Sequence, residues 1–492
     1  MQRRQFIQGA LGLAAGTGRR RLASAALLTP AVLGRAEAQA DFPLADLKAS
    51  LDPATVRIVS PADADYNRLR QAYNLRTLER PKAIVLPNTA SGVGPIVVWA
   101  RSRQVPFSVR GGGHSYEGLS LSDSLVIDTR RVNEVRVNAG ERTVSVGGGA
   151  TLGQVYQAVG ALELALPGGS CPTVGVAGNT LGGGYGFLAR QYGMACDSLE
   201  SVEMIDAGGR LVTADASTNA DLFWACRGAG SGSFGVVTRF VFKCQPVKQA
   251  TVFGAGWRLA PGRAKALMKA WQSWAPNAPN QITSILRIAK SGANTIALRC
   301  AGQWTGPAER VEAELQPLMA VAAPTAALTK RTTSFLGAVR YFTPPDEPAF
   351  MKGKSDYVAG PMSDAGIDTL LDGLGRLPAN AITIICDAYG GAIADIAAAE
   401  TAFPHRRGVL FSMQYYAQMP PSAADTRIEQ MRVLYAAMRP YVSGAAYLNY
   451  CDLDLPDAAE AYWGSNLPRL KQVKAGIDPD NLFRHVQSVP LP

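Results

Sequence analysis

Short apolar runs of strand length recur between residues 83 and 247, separated by stretches with helical spacing. AIVLPN (83–88) is followed by the helix-like IVVWARSRQ. PFSVRGGGH reads as a strand that ends in a glycine turn. SLVIDT (124–129), VNEVRVNAG and RTVSVGGGA read as further strands. Thr151 stands ahead of LGQV as a helix N-cap. LESVEMID (199–206), a turn at 207–209 and RLVTAD form a hairpin pattern, and FGVVTRFVFKCQPV (234–247) closes the series. Residues 41–83 read as helical and connecting. Beyond 248 glycine runs thin out and the helical patterns lengthen, as in PGRAKALMKAWQSW (261–274) and AADTRIEQMRVLYAAM (423–438). QITSILRIAK and RGVLFSMQYYAQ are strand-like. The whole predicts an α+β fold with domains at 41–247 and 248–440, the second an antiparallel sheet covered by helices. Residues 441–492 are expected to return to the first domain.

The first 40 residues follow another pattern. Arg3-Arg4-Gln5-Phe6-Ile7 precedes a small apolar run from Gly9 to Gly18, and Ala38-Gln39-Ala40 offers a cleavage site. The twin arginine resembles the signal of the bacterial pathway that exports folded proteins. Handling by that twin-arginine (Tat) export machinery, and a periplasmic or secreted location, are therefore expected, although Arg19-Arg20-Arg21 interrupts the apolar region. This leader holds six arginines and one glutamate, half of the net charge of +10. The remaining +5 is spread without a basic run, so nucleic acid is not an expected partner. No later stretch reaches about 18 uninterrupted apolar residues, so no stable membrane insertion is expected. Seven cysteines without a CxxC, and only three histidines, argue against a metal cluster. The odd count leaves at least one thiol outside intramolecular disulfides, and Cys171 is the candidate.

His114 and Cys171 carry the chemistry. Each lies in a glycine-rich segment, RGGGHSYEG (110–118) and PGGSCPTVGVAGNTLGGGYG (167–186), and each is a nucleophile able to hold a cofactor covalently. Glycine permits positive φ and close approach to a ligand, and bare amides in such turns receive phosphate oxygens. Three beds, at 111–113, 147–149 and 182–184, favour a cofactor with a pyrophosphate. The GxGxxG at 230–235 is a decoy. A dinucleotide fingerprint needs a helix after it, and VVTRFVF follows instead.

RGGGHSYEG, CPTVGVAGNTLGGGYG, FWACRGAGSGSFGVVTRF, YLNYCDLDL and VKAGIDPDNLFR together resemble the berberine bridge enzyme-like flavoprotein oxidases of the vanillyl-alcohol oxidase superfamily. The resemblance spans most of 80–245 and the chain from 447, and is weaker across 250–440. It implies a two-subdomain PCMH-type FAD-binding domain beside a substrate domain. It implies FAD attached twice, to His114 through the 8α-methyl carbon and to Cys171 through ring carbon C6. It places an oxygen gate at Val174. Arg110, Gly111, Gly112, Gly113, Ser115, Tyr116, Gly178, Asn179, Gly182, Gly186, Val236, Asn449 and Asn481 are the further candidate cofactor contacts. Ala177 and Asn179 depart from the commoner glycine-rich pattern.

The resemblance also singles out Asp387 in ICDAYGGAI (385–393), and Tyr447 and Tyr450 in YLNYCD. A neutral tyrosine has a pKa of about 10 and needs an activating neighbour to act as a base. Tyr447 polarised by Asp387 is the expected catalytic pair, with Tyr450 as rival. The implied activity is oxidation of an organic alcohol or hemiacetal, a sugar or oligosaccharide being favoured, with O2 reduced to H2O2. Oxidation of a phenolic or terpenoid metabolite, including oxidative cyclisation, and a dehydrogenase using another acceptor are the alternatives. The oligomeric state is left open.

Overall fold

In the computed structural model, residues 42–343 and 347–492 are described; the expected export leader lies outside them. Three larger sheets and a two-stranded one, Leu164–Ala165 with Gln245–Pro246, organise residues 43–492, which form one compact unit. The first has the order Val56–Val59, Ala83–Pro87, Leu125–Asp128, Phe107–Arg110. Its last three strands are parallel, and the crossover helix Val93–Ser102 links Ala83–Pro87 to Phe107–Arg110. Ala83–Pro87 and Leu125–Asp128 are buried at every position, as strands covered on both faces must be. That explains the near-continuous apolar runs. Val56–Val59 adds an antiparallel edge strand inside a segment that reads as helical and connecting, because its four residues are too few to show a period.

The second sheet is antiparallel and holds Val135–Asn138, Thr143–Gly147, Val236–Lys243, Leu199–Ile205 and Leu211–Asp215, in that order. Thr151 caps helix Leu152–Gly160 in a capping box with Gln154. The GxGxxG at 230–235 runs directly into the Val236–Lys243 strand, so no helix N-terminus forms there.

The third sheet has seven antiparallel strands, from the edge Ala326–Ser334 through Gln249–Leu259, Thr295–Trp304, Ile282–Gly292, Thr383–Ala388 and Phe411–Gln418 to Met351–Val358. Alternation along each strand divides its residues between two faces. Leu286, Ile288, Leu298, Ile384 and Met413 join one core with Leu267, Leu315, Leu370 and Met431 of four covering helices. The opposite face carries Ile285, Arg287, Ile385, Asp387, Gln414 and Tyr416, and these line a cavity. After this sheet, helix Leu467–Ile477 places Leu470 and Val473 in the core of the second sheet. Phe483 meets Phe107 edge-on. No helix among the described residues is long and apolar enough to cross a membrane.

Candidate active site

Two loops meet to form one wall of the cavity. Strand Phe107–Arg110 runs out into Gly111–Gly113, and residues 171–175 lead into helix Val176–Leu181. They touch at Gly112 and Gly175. A Cβ on Gly112 would fall 2.8 Å from the Gly175 Cα and 3.0 Å from the Thr173 carbonyl oxygen. Only glycine allows that approach. Gly113 has φ of 75°, and a Cβ there would lie 2.6 Å from the Arg110 guanidinium. The consequence is chemical. His114 Nε2 lies 2.9 Å from Thr173 Oγ1, and Cys171 Sγ lies 3.7 Å from the same oxygen. Tyr73 stacks on the imidazole with ring centroids 4.1 Å apart.

Both residues line a cavity of about 790 Å³, within the range of about 300–1,000 Å³ usual for small-molecule and cofactor sites. Of the seven cysteines only Cys171 is not buried. Burial pushes the Cys226, Cys244 and Cys300 thiols up to about 12. A thiolate is the nucleophilic form, so these three are inert at neutral pH.

The wall fits an FAD. A Cβ on Gly178 would meet nothing within 4 Å, and one on Gly111 only the Gly148 carbonyl at 3.8 Å. Both glycines therefore present bare backbone to the cavity. Asn179 Oδ1 is buried at the same wall without a hydrogen-bond partner. Gly112, Gly113, Ser115, Tyr116, Val174, Gly186 and Asn449 also line the cavity.

Four expected contacts stand elsewhere. Arg110 turns into the protein and donates to the Leu69 carbonyl at 2.8 Å and the Gln71 carbonyl at 2.5 Å. Gly182 backs onto Asn449, where a Cβ would lie 2.7 Å from Cγ. Val236 points to the far face of its strand, and Gly235 and Val237 take the wall instead. Asn481 occupies a left-handed turn with φ of 49°, while Phe483, Arg484 and His485 line the cavity. The glycine bed at 147–149 is a packing device. A Cβ on Gly147 would lie 2.8 Å from the Val132 carbonyl carbon, and one on Gly148 2.9 Å from that of Val237.

The facing wall is built from side chains. Asp387 is 3% exposed and accepts a hydrogen bond from Ser412 Oγ at 3.1 Å. Burial raises its carboxyl to about 7, against the lowering influence of Ser412, Arg287 and the adjacent Tyr450 hydroxyl. Asp387 is thus held by Ser412 with the Tyr450 hydroxyl nearby, and not by the expected Tyr447. Tyr447 Oη instead collects three N–H donors: Gly184 N at 3.0 Å, Tyr185 N at 3.2 Å and Asn449 Nδ2 at 3.0 Å. Burial lifts this phenol to about 12, and the three donors work against that rise. Tyr450 packs edge-on against Tyr447 and stacks on Tyr116. Gln414 Nε2 donates to Tyr116 Oη at 2.7 Å.

Ser412, Gln414, Tyr185, Thr173 and Arg287 escaped the sequence reading. For Ser412 and Gln414 the signal was present. Alternation in FSMQYYAQ places them with Tyr416 on one face. What was missing was the knowledge of which face looks inward.

A buried ionic cluster clamps the motif loops behind this wall. Lys352 pairs with Glu117 and with Asp452 (2.6 Å). Lys354 pairs with Asp452 (2.6 Å) and Asp454 (2.9 Å). It ties RGGGHSYEG to YLNYCDLDL through one sheet strand.

Comparison with known proteins gives concordant findings. The family model described as FAD binding domain matches residues 81–215, and that described as Berberine and berberine like matches 446–490. An uncharacterized FAD-linked oxidoreductase, YgaK of Bacillus subtilis, is 34% identical, covering 89% of this chain and 97% of its own. The structure of Physcomitrella patens BBE-like 1 superposes with a TM-score of 0.85 at 33% identity, covering 91% of this chain and 99% of its own. Phl p 4, a grass pollen allergen with glucose dehydrogenase activity, superposes with a TM-score of 0.81 at 28% identity, covering 91% and 99%.

Proposed function

This chain belongs to the berberine bridge enzyme-like family and is an FAD-dependent oxidoreductase; from that premise we propose that it oxidises an alcohol or hemiacetal of a sugar or oligosaccharide and passes the electrons to O2. One observation carries the reading. Thr173 Oγ1 holds His114 and Cys171 within reach of one another on the cavity wall that faces Asp387 and Tyr447.

His114 and Cys171 would hold the flavin covalently at its benzenoid end, and the glycine backbone at 111 and 178 would lie against it. When bound, FAD supplies a hydride acceptor. Once ionised, Tyr447 would take the hydroxyl proton, and its three N–H donors favour that ionisation against the rise that burial imposes on the phenol. Asp387, fixed by Ser412 and beside Tyr450, orients the substrate hydroxyl. Loss of one C–H hydride and one O–H proton leaves a carbonyl, and O2 takes up the two electrons and two protons as H2O2.

The attachment is tested by digesting the acid-denatured holoprotein. Colour should stay on peptides containing both His114 and Cys171; Cys171→Ala should leave one attachment and His114→Ala with Cys171→Ala none. Release of all colour as a small molecule refutes covalent binding. The acceptor is tested by comparing peroxide yield in air with turnover on an artificial acceptor. The likeness to a glucose dehydrogenase favours the second reading, in which another acceptor replaces O2, and that reading stands if peroxide is absent. Export rests on the twin arginine alone. Arg3→Lys with Arg4→Lys should retain the protein in the cytoplasm, and unchanged export removes the assignment.

A further inference from the structure

The inner face of the seven-stranded sheet continues beyond Asp387 and Gln414, and there it becomes cationic. Arg287 lines the cavity at its mouth, with its side chain exposed. Across the ladder its register partner is Arg299, also exposed. Residues directly opposite on an antiparallel pair have Cβ atoms about 5 Å apart, and like charges placed so repel. Among the described residues neither guanidinium meets a carboxylate in an ion pair. On this face Asp387 lies one row along on the next strand, since it pairs with Ile285 while Arg287 pairs with Ile385, and Glu347 also lines the cavity. The Asp387 carboxylate is already engaged by Ser412.

The next strand leaves room beside the two cations. Gly256 is the register partner of Arg299, and a Cβ there would meet only the Leu298 carbonyl, at 3.9 Å. At Gly254 a Cβ would lie 3.1 Å from Thr329 Oγ1, 3.2 Å from Tyr341 Oη and 3.6 Å from Arg299 Nη2, and the Thr329 hydroxyl lies 3.4 Å from that phenol, so a hydroxyl, a phenol and a guanidinium converge above Gly254. A trough floored by glycine thus adjoins the reacting end of the cavity, edged by a phenol, the Thr329 hydroxyl and two arginines that form no ion pair among the described residues.

We propose that this trough binds a carboxylate on the substrate, so that the preferred substrate is an acidic saccharide whose charge lies remote from the carbon oxidised. The inference rests on the oxidation reading above and specifies its substrate. Guanidinium pairs with carboxylate through two parallel hydrogen bonds, and an anion between Arg287 and Arg299 removes their mutual repulsion. Strand spacing sets the span. Arg287 lies two residues along and one strand across from Asp387, about 7 Å by about 5 Å, a distance that one sugar ring bridges.

The test compares an aldobiouronic acid with its neutral disaccharide on the holoprotein. The acid should have at least tenfold higher kcat/KM, carried in KM and falling as salt rises. Arg287→Gln and Arg299→Gln should each lower the acid-to-neutral ratio severalfold, and together abolish it, while Arg287→Lys keeps part. The ratio cancels any effect on the shared chemistry. Binding of the acid to holoprotein carrying Asp387→Asn, which turns over slowly, gives a second readout and should show the same loss. If the neutral sugar reduces the flavin and the acid gains nothing, the arginine assignment falls while the oxidation reading stands. If neither sugar reduces the flavin, the oxidation reading falls, and salt-sensitive binding of the acid that Arg287→Gln removes, or its absence, decides the arginine assignment alone.

Discussion

The two walls of the cavity are made of different material. The wall carrying His114 and Cys171 is mostly backbone, contributed by two loops whose glycines let them interlock. The wall carrying Asp387, Ser412 and Gln414 is all side chain, drawn at every second residue from strands of one sheet. The first wall tolerates little change in shape but specifies attachment. The second keeps its fold when inner-face residues change, because its core lies on the other face. Cofactor retention and substrate chemistry should therefore be separable by mutation.

The largest effect is expected at the loop contact. Gly112→Val puts a branched side chain into the Gly175 backbone, where no rotamer relieves the clash. Stability should fall by about 3 kcal/mol or more, and the purified protein should lack flavin; normal flavin content would show that the loops need not touch. Next comes the clamp between the walls. Lys352→Met removes the cation shared by Glu117 and Asp452, which keep only Arg76 at 3.5 Å and Lys354 at 2.6 Å, and should cost up to about 3 kcal/mol in denaturant unfolding. A double-mutant cycle with Asp452→Asn should reveal strong coupling.

On the side-chain wall, Asp387→Asn should slow anaerobic flavin reduction by about 10²–10⁴-fold with flavin content unchanged. Its pH signature has a definite sign. The carboxyl titrates near 7 in the fold and near 3.9 when unfolded. Between about pH 4 and 7 the folded state therefore holds the proton that the unfolded state has lost, and stability falls as pH rises. Asp387→Asn should raise the melting temperature at pH 8, by an amount equivalent to about 2–4 kcal/mol, and leave it unchanged at pH 4. A gain at both pH values, or at neither, contradicts the buried neutral acid.

The smallest effect sharpens the contrast between glycines. Gly178 lies in helix Val176–Leu181 with open space where its Cβ would be. Gly178→Ala should stabilise the flavin-free protein by about 0.5–1 kcal/mol yet weaken flavin retention. Loss of stability without change in flavin binding would remove Gly178 from the cofactor wall.

The strands and helices of the first 250 residues were legible because their patterns are local. Buried parallel strands read as apolar runs, and Thr151 with Gln154 announced a helix start. His114 and Cys171 stood out for the same reason. Other assignments depended on what each segment meets. Gly111 and Gly148 look alike in sequence, yet one borders the cavity and the other is pressed against the Val237 backbone. Asp387 could not be matched to its tyrosine from spacing, since Tyr447 and Tyr450 lie three residues apart and present their hydroxyls to different partners.

By itself, the sequence determined the local periodicities, the glycines that permit close backbone approach, and the two nucleophiles that point to a tethered flavin. The tertiary structure decided which glycines face the cavity, which tyrosine accompanies Asp387, and that Arg287 and Arg299 stand side by side. The division has a physical origin. Secondary structure and turn chemistry depend on neighbours along the chain, whereas burial, desolvation and charge pairing depend on groups that sheet register and packing bring together from different segments.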